Sequence, residues 1–275
     1  MPPLPRPTRV PAYEEGLTVH YDHIVITETE GYTRVEMAMP ARRNALSEAH
    51  LRELLSAFEA IGQSTAPGVI LSAQGPVFSA GHDLNEMASR DLSGTKKILG
   101  ICSDVMQIIQ SIPQVVLAQV EGLATAAGCQ LVASCDLAVA GESSRFQLPG
   151  GRGGWFCTTP GVAVGRAVGR KHAMEMLLTG DPIDAATALA WGLINRVVPD
   201  DEVPLASEEL MARATRGSNL SRAIGKQAFY RQIDMDLRTA YDFATEVMAS
   251  ASQIDDARET AAAFVEKRKP VFTDS

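Results

Sequence analysis

The chain has 275 residues, of which 45% are hydrophobic and 21% charged, values typical of a globular protein and not of a disordered one. Its 33 acidic residues outnumber the 25 basic ones, and the formal net charge of −8 argues against nucleic acid as a partner. A chain of this length buries a sizeable core without disulfides or metals. No pair among its four cysteines has C-x-x-C spacing, and no eighteen apolar residues run together, so neither a metal site nor a membrane span is predicted.

The first fifteen residues contain five prolines, which predicts an extended, flexible arm over residues 1–15. This segment lacks the apolar run of a secretory signal. Free cysteines are typical of a reducing compartment. Together these features predict a soluble, cytoplasmic protein.

Strand and helix patterns then alternate along residues 16–200. Short strand-like runs occupy residues 23–27, 33–37, 68–72, 115–120, 136–140 and 195–198. Between them, apolar residues recur at helical spacing, first after a candidate helix cap at Ser47 and again between Ile98 and Ile112. Several of the strand-like runs are continuously apolar, as expected for strands that are buried on both faces. The alternation predicts an α/β core of layered sheet and helices.

Strand signals stop near residue 200. Four helical stretches follow, at residues 201–216, 221–232, 236–252 and 255–268. An all-helical region after an α/β core indicates an appendage or an oligomerisation element, which we place at residues 201–275.

Two segments rich in small residues follow strand-like runs. In the first, residues 76–87, Ser79, Ala80 and Gly81 allow a ligand to approach the backbone, and a tight turn leaves N–H groups free to bind an oxyanion. An ordinary strand-to-helix turn with Asp83 as a helix cap fits the same spacing. In the second, residues 120–136, a bend rich in glycine and alanine leads into a helix that begins near Ala127, where free N–H groups stabilise negative charge. Two such bends can present two amides to one oxygen atom, as the enolate of a thioester requires.

These segments resemble the crotonase (enoyl-CoA hydratase/isomerase) superfamily. The resemblance extends from about Leu17 to Lys269, includes the motif Arg43-Asn-Ala-Leu-Ser47, and in residues 122–136 and 156–162 singles out one branch of the family. It implies a crotonase-type spiral of ββα units with a C-terminal helical trimerisation region, assembled as a homotrimer or as a hexamer of two trimers. The implied substrate is an acyl-CoA or enoyl-CoA, and coenzyme A arrives as part of that substrate, without a separate cofactor.

The resemblance also implies site residues. The backbone N–H groups of His82 and Ala127 correspond to the family's oxyanion hole. The residues that would line the channel for the pantetheine arm of coenzyme A are Ala80, His82, Asp83, Leu84 and Asn85. Phe264 and Lys267 correspond to tail residues that approach the nucleotide, often from an adjacent subunit, although Lys267 also fits a solvated lysine at a helix end.

The chain departs from the family at the two glutamates with which hydratases activate water. Gln130 and Gly150 stand at those positions, and neither exchanges a proton at neutral pH. Because each positioned acid or base contributes about 10²–10⁴-fold, we expect weak or atypical hydratase/isomerase activity. Gln130 either orients a water molecule or the acyl group, or packs at the helix start, and the His82 imidazole is a further candidate. Two alternatives stay open: an acyl-CoA binder without turnover, and a crotonase-type decarboxylase or thioesterase.

Overall fold

The computed structural model describes residues 20–275, so the predicted arm at residues 1–15 lies outside the described residues. The strands are β1 (Ile24–Glu28), β2 (Thr33–Met37), β3 (Gly68–Ala73), β4 (Val115–Val120), β5 (Leu123–Thr125), β6 (Leu137–Gly141), β7 (Arg145–Gln147), β8 (Ile183–Asp184) and β9 (Arg196–Val198). The helices are α1 (Glu48–Gly62), α2 (Leu84–Ala88), α3 (Leu92–Ser111), α4 (Ala127–Ser134), α5 (Thr158–Val168), α6 (Arg170–Thr179), α7 (Ala185–Trp191), α8 (Val203–Ala214), α9 (Asn219–Gln232), α10 (Leu237–Ala251) and α11 (Asp255–Glu266). Single 3-10 turns lie at Pro40–Arg42, Pro149–Gly151 and Asp200–Glu202.

The main sheet contains six strands in the order β1-β2-β3-β4-β6-β9. Strand β1 is antiparallel to β2, and every other pair is parallel. These six strands are the six strand-like runs of the sequence. All residues of β4 are buried, as expected for a strand with both faces covered.

A second, three-stranded sheet has the order β5-β7-β8. The chain passes from β4 to β5 to α4, and then from β6 to β7 to α5, so that both of these main strands are followed by a short strand and a helix. Ser79, which follows β3, forms an isolated parallel bridge to Ala124 of β5 and so takes the same place in its own unit. The predicted α/β spiral of ββα units is therefore confirmed.

Helices cover both faces of the main sheet. Helix α1 begins at the predicted cap, where Ser47 accepts a hydrogen bond from the His50 amide, and it packs beside α3 in the larger core. On the opposite face, Val203 and Met211 of α8 pack against Ile70 and Leu117 of the sheet. The core therefore fixes the carboxyl ends of β3 and β4, after which the two segments rich in small residues begin.

Helices α8 to α11 form the C-terminal region that the sequence predicts. Helices α9 and α10 contain no buried residue, and they expose large apolar side chains. The most exposed of these are Phe229, Ile233, Leu237, Tyr241 and Met248. No helix within residues 20–275 is long and apolar enough to cross a membrane. The division of the chain at residue 200 and its oligomeric state stay predictions.

Candidate active site

The turn after β3 leaves one backbone amide without an acceptor. Four of the five amides from Ser79 to Asp83 are bonded: Ser79 N to Leu123 O (3.2 Å), Ala80 N to Arg43 O (3.0 Å), Gly81 N to Ser79 Oγ (3.2 Å) and Asp83 N to Leu46 O (3.4 Å). Within residues 20–275, the His82 N–H donates no hydrogen bond. A free amide in a turn that is otherwise fully bonded is available to a ligand.

The turn after β5 leaves a second amide without an acceptor. Ala126 has a φ of 51°, a left-handed conformation that is strained for a residue with a Cβ atom. Its own N–H donates to Gln147 O at 2.9 Å, and helix α4 begins at the next residue, Ala127. The Ala127 N–H has no acceptor in the described part of the chain. Its position at a helix N-terminus favours negative charge.

These two turns lie directly against each other. The Thr125 N–H donates to Ser79 O at 3.0 Å. A Cβ atom on Gly81 would lie 2.9 Å from Ala126 Cβ and 3.1 Å from Ala127 N. Gly81 also has a φ of +78°, so only glycine fits this position without strain. The structure therefore brings the His82 turn together with the start of α4.

Neutral polar side chains flank the two amides. Both ring nitrogens of His82 are buried without a partner in the described residues, and burial lowers the pKa of this imidazole. Gln130 is 4% exposed, and its Oε1 atom has no partner there either. Gln130 lies in the first turn of α4, where its backbone N–H donates to Ala126 O at 3.0 Å. The candidate site is therefore polar, but position 130 provides an amide and not a carboxylate.

The residues predicted to line the pantetheine channel differ from one another in exposure and in hydrogen bonding. Asp83 caps α2, where its carboxylate accepts from the Asn85 and Glu86 amides and pairs with Arg42 at 2.9 Å. The predicted helix cap is therefore confirmed. Leu84 is 71% exposed, Asn85 is also exposed, and Ala80 is half-buried. Their contact with coenzyme A stays a prediction.

The two tail residues lie on or beside α11. Phe264 is 85% exposed, and Lys267 ends the helix in a left-handed conformation. No hydrogen bond joins either residue to the His82 turn in the described chain. Their approach to the coenzyme A nucleotide stays a prediction.

Gly150, the position at which the family's second glutamate is expected, is closed off by the surrounding loop. Trp155 N donates to Gly150 O at 3.0 Å, and Gly150 N lies 3.3 Å from Cys157 Sγ. A Cβ atom on Gly150 would overlap the Trp155 carbonyl oxygen and lie 2.8 Å from Cys157 N. Burial raises the pKa of the Cys157 thiol, which disfavours the thiolate. This loop therefore accommodates neither a carboxylate at position 150 nor a reactive cysteine.

Sequence reasoning missed the residues that hold the first turn in place. Asn44 is fully buried with a φ of 49°, and its side chain bonds to Met39 N (2.9 Å), Gln74 O (2.9 Å) and Val77 O (2.8 Å). The motif Arg43-Asn-Ala-Leu-Ser47 carried the family resemblance, but it did not show this contact. A buried asparagine in a predicted loop was the available signal, because such a residue needs several hydrogen-bond partners.

Comparison with known proteins places this site in context. The model of the enoyl-CoA hydratase/isomerase family matches residues 27–275. Mouse enoyl-CoA hydratase domain-containing protein 3, mitochondrial, is 47% identical over 253 residues, which cover 90% of this chain and 83% of that protein. A crystal structure of an enoyl-CoA hydratase from Mycobacterium smegmatis has a TM-score of 0.88 at 42% identity, covering 90% of this chain and 98% of that one. The crystal structure of human enoyl-CoA hydratase domain-containing protein 3 also has a TM-score of 0.88 at 42% identity, covering 91% and 100%.

The comparison corrects one expectation. Relatives of the domain-containing protein 3 type from mouse, rat, Xenopus laevis, human and Danio rerio are all named mitochondrial. The cytoplasmic location predicted from the sequence is therefore wrong. The prediction rested on the lack of a secretory signal and on free cysteines, and neither feature distinguishes the cytoplasm from the mitochondrion.

Proposed function

The chain belongs to the enoyl-CoA hydratase/isomerase family, and on this basis we propose that it binds an acyl-CoA thioester and polarises the thioester carbonyl between the amides of His82 and Ala127. One observation carries the proposal: two unbonded amides lie on turns that pack against each other. Each donor of an oxyanion hole contributes on the order of 10²–10³-fold to a reaction that passes through an enolate.

The chemistry that follows is polarisation without strong water activation. Gln130 offers an amide where a hydratase has its first glutamate, and an amide does not take up a proton at neutral pH. Gln130 is proposed to orient a water molecule or the acyl group by hydrogen bonding. We therefore propose weak or atypical hydratase/isomerase turnover of an enoyl-CoA, with no metal or separate cofactor.

A specific observation favours a second candidate, acyl-CoA binding without turnover. The loop at Gly150 and Trp155 leaves no room for a side chain at position 150, which supports the proposed loss of water activation. A decarboxylase or thioesterase of the same family remains compatible, because such a reaction needs fewer protein acids.

The assembly belongs to the same proposal. Phe264 is exposed, and Lys267 lies at the end of α11. Helices α9 and α10 present an apolar surface. We propose that a homotrimer, alone or paired into a hexamer, brings these tail residues to the coenzyme A nucleotide of a neighbouring subunit. Ala80, His82, Asp83, Leu84 and Asn85 would line the pantetheine channel within one subunit.

The experiment uses a dienoyl-CoA, whose conjugated thioester absorbs at longer wavelength when its carbonyl oxygen accepts strong hydrogen bonds. We expect the wild-type protein to bind it and to shift its absorption to the red. In Gly81→Ala, the new methyl group lies between the two turns and should abolish this shift. Gly100→Ala is the matched control, since a Cβ atom there meets nothing within 4 Å.

Turnover is followed in parallel with crotonyl-CoA. Loss of its absorbance at a rate comparable to that of family hydratases would contradict the proposed loss of water activation. Binding without a red shift in the wild type would refute the oxyanion hole. Binding with a red shift but without any product would support the acyl-CoA binder over the weak enzyme.

A further inference from the structure

The peptide between Gly81 and His82 carries one of the proposed oxyanion amides, and its orientation is held from outside the turn. Because a trans peptide is planar, its C=O and N–H groups point in opposite directions. Leu46 N donates to Gly81 O at 2.8 Å. This bond directs the His82 N–H away from Leu46. The preceding peptide is held by the Gly81 N–H, which donates to Ser79 Oγ at 3.2 Å.

Ser79 connects this turn to two other segments. Its hydroxyl donates to Asn44 O at 2.9 Å while it accepts from Gly81, so the hydroxyl acts as donor and acceptor at once. Its backbone bonds to Leu123 O and Thr125 N of β5, the strand that leads to the Ala127 amide. Ser79 is fully buried, so water does not compete for these contacts.

We propose that Ser79 is a positioning residue, whose hydroxyl sets the orientation of the His82 amide relative to the Ala127 amide together with the Leu46 N–H. This inference rests on the proposed function. Asn44 supports it by fixing the acceptor: the three side-chain bonds of Asn44 hold the backbone whose carbonyl receives the Ser79 hydroxyl. Removing the hydroxyl leaves Gly81 N–H and Asn44 O without partners in a buried place and loosens the peptide that precedes the one carrying the His82 amide.

The test separates positioning from stability. Ser79→Ala and Ser79→Cys are compared with Ser207→Ala, which also removes a fully buried serine hydroxyl, here one bonded to Val203 O at 2.8 Å on α8. Thermal unfolding, the Kd for a dienoyl-CoA and the red shift of the bound dienoyl-CoA are measured for each protein. If the Ser79 hydroxyl has only a structural role, its removal lowers thermal stability but leaves the red shift of dienoyl-CoA bound to the folded protein unchanged.

We expect Ser79→Ala to bind with a Kd within about threefold of wild type, because only one hydrogen bond to the ligand is weakened and the contacts to the rest of coenzyme A are kept, while it loses at least about half of the red shift. Ser79→Cys keeps a weak S–H donor and should lose less of the shift. Ser207→Ala should keep all of it. A full red shift in either Ser79 variant overturns the positioning role and leaves the proposed function intact.

Absence of any red shift in the wild type has a different meaning. It refutes the proposed function, and with it the oxyanion amide that Ser79 is proposed to position. Should Ser79→Ala fail to fold, Ser79→Cys decides alone: a partial loss of red shift at unchanged Kd supports the proposal, and a full red shift overturns it.

Discussion

Gly150 and Trp155 approach each other so closely that a Cβ atom on Gly150 would overlap the Trp155 carbonyl oxygen. The obstacle is backbone, which a change of side-chain rotamer does not remove. We therefore expect Gly150→Ala to lower the free energy of unfolding by about 1–3 kcal/mol, the usual cost of overpacking. Gly153→Ala, in the same loop, is the control, because the nearest atom to its Cβ would be 3.7 Å away. Equal denaturation midpoints for the two variants would contradict this prediction, because the loop would then admit the Gly150→Ala methyl group without a loss of stability.

Gln130→Glu places a carboxylate at the position where we propose that a hydratase has its first glutamate. A positioned acid or base contributes about 10²–10⁴-fold when its partner is present, and such groups act far from additively. We therefore expect crotonyl-CoA hydration to rise by only about tenfold. Gln130→Leu is the control, and its rate of crotonyl-CoA hydration should not exceed that of the wild type. A Gln130→Glu rate equal to that of a family hydratase would mean that the second carboxylate is not needed.

Lys226 joins the C-terminal helix α9 to the core. Its ammonium group lies 2.7 Å from Asp136 Oδ2 and donates to Ile109 O at 2.8 Å, and both charged side chains are largely buried. Lys226→Met leaves the Asp136 carboxylate buried and unpaired, so we expect a loss of about 3–5 kcal/mol in unfolding free energy. Arg166→Met breaks an exposed pair with Asp234 and should cost less than about 1 kcal/mol. Similar losses in the two variants, measured by chemical denaturation, would contradict this difference.

The sequence predicted those parts of the molecule that depend on local pattern. Buried strands such as β4 are continuous apolar runs, and Ser47 and Asp83 cap helices through their own side chains. The three-residue strand β5 escaped prediction, because so short a segment has no measurable periodicity. The closed loop at Gly150 also escaped, since it depends on where Trp155 folds back. The glycine at position 150 predicted the lack of a carboxylate there, but it did not show that the space is filled.

The predicted oligomeric assembly can be tested by substituting exposed apolar side chains of α10. Tyr241 and Met248 are seven residues apart, on one face of the helix, and are 68% and 79% exposed. Large exposed apolar side chains of this kind mark association surfaces. We expect Tyr241→Glu/Met248→Glu to yield monomers by light scattering, while Glu246→Gln on the same helix keeps the trimeric or hexameric mass. A monomeric wild type, or an unchanged mass in the double variant, would contradict the use of this surface.

Acid should destabilise the fold through His50. This residue is fully buried, its Nδ1 atom lies 3.1 Å from Ala45 O, and its ring stacks on His23 at 5.7 Å between centroids. A carbonyl accepts only from a protonated nitrogen, so neutral His50 carries its proton on Nδ1. Desolvation lowers the pKa of His50 from 6.5 to about 4. The folded state therefore binds fewer protons than the unfolded state between these two values.

It follows that the contribution of His50 to stability is complete above pH 6.5 and is lost as the pH falls through about 4. The pKa difference corresponds to about 3 kcal/mol of unfolding free energy. His50→Asn retains an N–H donor near the place of Nδ1 but does not titrate, so its stability should fall less steeply over this interval. His82, whose pKa is also lowered, titrates in both proteins, and the difference between their pH profiles isolates His50. Parallel profiles in urea denaturation would show that His50 becomes protonated without cost, against the burial seen in the structure.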